Sequence, residues 1–190
     1  MHVRPIDIAY FFADPLVKFQ GREMRETMPE VSYQVEYDKF IELVKKEEFG
    51  NNFRIEMMVA TKSNIRTTVT EGASILHFAC HGDRNNLHIE SERSIGELLI
   101  LSEAEFTPFL NPRTPLPKLI IFNACHSKHI AQKIGNRFGE LGIVTIGYEG
   151  LANDRYCEMF TKEFYIGLFK DKAPVRELFS RIKARITAEN

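Results

Sequence analysis

The chain has 190 residues, 44% of them apolar and 11% aromatic, enough to bury a full core in one domain spanning 1–190. Its net charge of −1 gives neither nucleic acid nor an anionic membrane an electrostatic reason to bind. Three scattered cysteines, Cys80, Cys125 and Cys157, are too few for a secreted disulfide framework and point to a reducing, cytoplasmic setting.

In chain order, the first apolar run, IDIAYFFA, contains Asp7, is too short to span a membrane, and lacks the basic flank and small-residue cleavage site of a leader. Strand-length runs rich in Ile, Val and Phe are expected at Ile6–Phe12, Phe53–Val59, Ser74–Ala79, Lys118–Asn123 and Ile143–Gly147. Helical spacing separates them: Val31–Lys46 sets Tyr37, Phe40, Ile41 and Val44 on one stripe, and Ser127–Phe138 does the same with Ile130, Ile134 and Phe138. Between His81 and Lys118 the pattern breaks. LHIESERSIGELLIL reads there as a hairpin, and Ser102 with Glu105 forms a capping box for a short helix. From about Asn153 the chain is helical, with Phe160, Phe164, Tyr165 and Leu168 in one segment and Val175, Leu178, Phe179 and Ile182 in the next. Continuous apolar strands alternating with helices imply an α/β fold: a mainly parallel sheet of five to six strands with helices on both faces.

Function in that architecture gathers beyond the carboxyl ends of the strands. Two apolar runs break off there on reactive side chains: SILHFACHGDRNN on His81 and PKLIIFNACHSKH on Cys125, 44 residues later. On neighbouring strands the imidazole and thiol come together. A thiol becomes a nucleophile when a base takes its proton and a positive potential favours thiolate. His81 supplies the base, and a helix starting at about His126 supplies the potential through its free N–H groups. Those groups, with a close-approaching Gly82, are also suited to bind the oxyanion of acyl transfer.

The paired motifs ILHFACHG and LIIFNACHS resemble the signature of CHAT domains, caspase-like cysteine peptidases related to separase and caspases. The segment GIVTIGYEGLANDRYCEMFTKEFYIGLFKDKAPVRELF is similar to that family's closing strand and helix pair, and ADP fits its opening strand. The resemblance covers about residues 5–185. It implies a caspase-like fold and a cysteine endopeptidase acting on protein substrates without a cofactor. His81 is then general base and acid, Cys125 the nucleophile, and Gly82 with Cys125 the oxyanion donors. The family's domains usually sit behind helical repeats or another sensor, so a regulatory partner is implied, and this chain is either stand-alone or an excised domain. A caspase-like interaction module that no longer turns over is the alternative.

The remaining chemistry-bearing residues have plainer readings. His77 shares the face of His81 and reads as a packed, hydrogen-bonded core histidine, while Cys80 faces the other way and reads as a small hydrophobe, as does Cys157. Asn123 either orients the loop or simply ends the strand. Zinc is disfavoured because Cys80 and His81 point to opposite faces and no paired spacing completes a tetrahedral set. No strand precedes a glycine-rich phosphate loop, and GELG at 139–142 is a helix stop. Glu149 and Asp154 follow the last strand and are candidates to bind a basic substrate side chain, although an acidic residue in a first helical turn is also common for capping. Residues Asp83–Glu97, charged and poor in apolar anchors, are expected to be mobile until a partner orders them.

Overall fold

The computed structural model describes residues 6–20, 23–27, 33–46, 53–94, 96–151 and 154–188. They form two compact units interleaved in sequence, one of residues 1–31 and 53–152 and the other of residues 32–52 and 153–190.

In the first unit the elements are β1 (Ile8–Phe12), β2 (Val17–Gln20), β3 (Glu23–Thr27), β4 (Ile55–Val59), α2 (Lys62–Thr70), β5 (Ile75–Ala79), β6 (Asn86–Glu90), β7 (Leu98–Ser102), α3 (Glu103–Phe106), β8 (Leu119–Asn123), α4 (Lys128–Phe138) and β9 (Val144–Gly147). Five of these strands make one parallel sheet in the order β4-β1-β5-β8-β9. The α/β class and the parallel sheet expected from the apolar runs are therefore the observed ones, with each strand one or two residues shorter than its run. The order reverses between β1 and β5, which makes their carboxyl ends the switch point where open α/β sheets form a crevice.

Register fixes what each face of the sheet buries. Phe11, Phe78 and Phe122 occupy equivalent positions on β1, β5 and β8 and stack at centroid separations of 5.0 and 5.5 Å, while Phe106 of α3 meets Phe78 and Phe122 edge-on. Each such pair adds about 0.5–1.5 kcal/mol beyond area burial. Ile65 and Val69 of α2 and Ile130 and Ile134 of α4 close this face. The opposite face carries Ile8, Tyr10, His77 and Ile121, which are also fully buried, and Tyr10 lies 4.7 Å from the His77 ring. A strand buried on both faces reads as a continuous apolar run, which is why these were legible.

The hairpin β6–β7 and the Ser102–Glu105 capping box form as expected. The antiparallel pair β2–β3 and helix α2 were not expected. Helix α2 has nine residues, rich in β-branched threonines, and owes its start to the Thr61 hydroxyl accepting from the Asn64 N–H at 3.2 Å.

The second unit contains α1 (Tyr33–Lys46), α5 (Asp154–Phe169) and α6 (Val175–Ala188). Phe40 packs on Tyr165 at 4.6 Å, and the buried Thr161 hydroxyl donates to Glu36 at 2.5 Å. Burial, reinforced by the Glu36 charge, holds the Tyr165 hydroxyl well above its ordinary range. Gly167 lets α6 approach, since a Cβ there would collide with Leu178.

Candidate active site

Strands β5 and β8 run parallel with Ala79 opposite Asn123. His81 and Cys125 each stand two residues past the end of these neighbouring strands. The main chains converge here. A Cβ on Gly82 would lie 2.9 Å from the Cys125 carbonyl oxygen and 3.0 Å from the Ala124 Cβ, so only glycine allows this approach. Both His81 and Cys125 are partly exposed. The strands that end just before His81 and Cys125 are neighbours in the sheet.

Beyond Ala79 the chain turns into a tight hairpin instead of a mobile loop. Gly82 pairs with Leu87, the His88 N–H donates to the His81 carbonyl at 3.0 Å, and the Asp83 N–H donates to the Asn86 carbonyl at 3.0 Å. Those two bonds belong to the neighbours of the Gly82–Leu87 pair, so the Gly82 N–H points out of that ladder, away from β6. The expectation that 83–97 lacks anchors fails for its first half. Leu87 and Ile89 alternate with His88 and Glu90, are fully buried, and join the main core. The alternation was in the sequence, masked by the charge around it.

The strand-to-helix turn after β8 is equally built. His126 sits in the left-handed region at φ 53°, a conformation that costs a non-glycine residue of order 1 kcal/mol and re-aims the chain between Cys125 and α4. Its N–H donates to the Gly150 carbonyl at 2.7 Å, and the Lys128 N–H to the Tyr148 carbonyl at 2.8 Å. The buried Ser127 hydroxyl sits 2.8 and 2.7 Å from the Phe122 and Ala124 carbonyls and accepts from the Tyr148 N–H at 3.0 Å. Gly147 permits this contact, because a Cβ there would come within 2.7 Å of the Ser127 carbonyl oxygen.

One expectation is corrected in consequence. Helix α4 begins at Lys128, not His126, and the N–H groups of His126 and Lys128 are already bound to carbonyls at 148–150. The N–H groups of His126 and Lys128 are therefore not open to an oxyanion.

The other cysteines differ sharply from Cys125. Cys80 is buried among core residues on the opposite face. Burial pushes its thiol up to about 12, with the His88 N–H pulling against that shift and the neighbouring Cys125 adding to it. Cys157 is buried as well. His77 is fully buried and Asn123 nearly so at the end of β8, which places both in the core. Glu149 lies in the 148–150 segment beside the turn, where it is 2.7 Å from the Lys128 ammonium. Its charge is thus partly answered from within the chain. Asp154 opens α5 in the second unit, and its side chain lies outside the described residues. Sequence reasoning missed Ser127 and His126, whose roles depend on a turn geometry that no residue pattern announces. It also missed Asp83 and His88, although Asp-Arg-Asn-Asn is a turn signature.

Among the described residues no helix is long and apolar enough to cross a membrane. No protein-family model matches the chain, and no curated protein matches it.

Proposed function

We propose that the chain is a caspase-like cysteine endopeptidase of the CHAT type, with His81 and Cys125 as its dyad. The observation that carries this reading is the convergence of the two strand ends, with the Gly82 main chain against the Cys125 carbonyl and the Gly82 N–H not used in the ladder to β6. His81 takes the thiol proton as the Cys125 Sγ attacks the carbonyl carbon of a peptide bond. The negative oxygen so formed is met by the N–H groups of Gly82 and Cys125. Collapse breaks the C–N bond, His81 passes its proton to the departing amine, and water, deprotonated by His81, releases the acid from the thioester. Cleavage of a protein substrate by the wild-type chain, lost in both Cys125→Ala and His81→Ala, is the test, with its regulatory partner added where the chain alone is silent. Cleavage that persists in Cys125→Ala overturns the proposal.

A second reading has its own support. Because the His126 and Lys128 N–H groups are occupied, the oxyanion site has few donors, and a caspase-like interaction module without turnover fits that economy. It predicts Cys125 reactivity without peptide cleavage under any condition. Glu149 is proposed to receive a basic substrate side chain only by exchanging its Lys128 partner for it.

A further inference from the structure

We propose that Asp83 and His88 are positioning residues, locking the 81–88 hairpin and thereby setting where His81 and the Gly82 N–H stand relative to Cys125. The proposal rests on the dyad reading above.

Asp83 is the hub of the hairpin. Its Oδ1 accepts from the Asn85 N–H at 3.0 Å, the Asn86 N–H at 3.1 Å and the Asn86 Nδ2 at 2.8 Å, and its Oδ2 accepts from Asn86 Nδ2 at 3.0 Å. The same Oδ2 lies 3.3 Å from the His88 Nε2. A turn cap alone needs only the first two of these bonds. The others reach across the ladder to β6, and the last is diagonal. Directly opposed residues of an antiparallel ladder share a face, so His81 and His88, and Asp83 and Asn86, all lie on one face of the hairpin.

The consequence is a clasp with two halves. The His88 main chain holds the His81 carbonyl, and the His88 side chain holds the residue two positions beyond His81. A carboxylate at Nε2 selects the tautomer with its proton there and leaves Nδ1 as an acceptor. Nδ1 is buried and has no hydrogen-bond partner among the described residues, so the ring is fixed by its bond to Asp83 and by packing. Without the clasp, the 81–83 arm loses its side-chain tie to β6, and the two groups it carries drift from Cys125 together. The lock is engaged through the neutral range. Burial works to raise the Asp83 carboxyl, but the hydrogen bonds from Asn86, Asn85 and His88 outweigh it and hold the group below its ordinary value.

The test is the pH–rate profile of Cys125 alkylation by iodoacetamide in the full chain, mapped by mass spectrometry, for wild type and His81→Ala, Asp83→Ala, Asp83→Asn, His88→Leu and His88→Gln. His81→Ala, Asp83→Ala and His88→Leu are expected to slow alkylation at pH 7 about tenfold and to move the midpoint upward, because small misplacements of a reacting pair cost that much. His88→Gln keeps a donor toward Oδ2 and should recover to within about threefold of wild type, whereas Asp83→Asn keeps the Oδ1 turn bonds but sets an amide NH2 where Oδ2 accepted and should be slowed like His88→Leu. A merely structural loss would lower the melting temperature without moving the midpoint. Wild-type rate and midpoint in Asp83→Ala and His88→Leu, with His81→Ala slowed, overturn the positioning role and leave the dyad standing. A wild-type profile in His81→Ala overturns the dyad itself. Should Asp83→Ala unfold, seen as labelling of Cys80, the His88 pair decides by the same criterion.

Discussion

Replacing Gly82 with alanine is the smallest change that probes the convergence of the two strand ends. The new methyl would stand 2.9 Å from the Cys125 carbonyl oxygen, 3.0 Å from the Ala124 Cβ and 3.3 Å from the Asn86 carbonyl oxygen. Two of the three neighbours are backbone atoms, and both sides are fixed: the 81–83 arm by its ladder to β6, the 123–127 turn by Ser127 and the 148–150 carbonyls. Neither can give cheaply, so the overpacking should cost about 1–3 kcal/mol. For a chain of this size that lowers the melting temperature by about 2–12 °C. The functional loss should be larger, because any relief separates the Gly82 N–H from Cys125; a shift of a few tenths of an ångström to one ångström is expected to reduce reaction at Cys125 about 10- to 100-fold. Thermal unfolding and Cys125 labelling measured together check this. Gly139→Ala is the control, since a Cβ there meets nothing within 4 Å and φ is −60°. Gly82→Ala matching wild type in both measurements would refute the proposed close approach.

Three further outcomes follow from the same geometry. At pH 7 a general thiol reagent should modify Cys125 far faster than Cys80, whose thiol is pushed up to about 12, or the buried Cys157; comparable rates at Cys80 would contradict its place in the core. Ser127→Ala should destabilise the chain by about 1–3 kcal/mol in denaturant titration, because the buried hydroxyl that ties the Phe122 and Ala124 carbonyls and the Tyr148 N–H together is lost; no loss would mean that the turn is held by other bonds. The Glu105 carboxyl is lowered to about 2 by Lys62 first and by the Ser102 N–H and hydroxyl. A depressed carboxylate stabilises fully above its unfolded value and loses that contribution as pH falls toward 2, so between about pH 4.5 and 2 wild type should lose stability more steeply than Glu105→Gln. The pair is exposed and the difference small, and parallel curves would show that the cap contributes no charge-dependent stability.

The parallel sheet was legible because its central strands are buried on both faces and therefore read as unbroken Ile, Val and Phe runs. His81 and Cys125 were legible for a related reason: each interrupts such a run at the carboxyl end of a strand, where open α/β sheets form their crevice. What the residues did not disclose is how those ends are fixed. The 83–92 segment looks charged and loose in sequence because Asp83, Arg84, Glu90 and Glu92 dominate it, yet two alternate residues, Leu87 and Ile89, anchor it in the core. The turn at 125–127 depends on a left-handed His126 and on glycines 147 and 82 permitting close approach, features that act through space and leave no periodic trace. Helix α2 went unseen because its threonines have weak helix propensity and its stability comes from Ile65 and Val69 in the core.

The central claim, that His81 and Cys125 act as one reactive pair, is tested most directly with a peptidyl electrophile that forms a stable thioether with catalytic cysteines. The adduct is located by peptide mapping in wild type, His81→Ala and Cys125→Ala, with the proposed regulatory partner present and absent. The account predicts a single adduct on Cys125, about tenfold or more slower to form in His81→Ala and absent in Cys125→Ala. An adduct forming on Cys125 at the same rate with and without the His81 imidazole, or forming only on other residues, would contradict it.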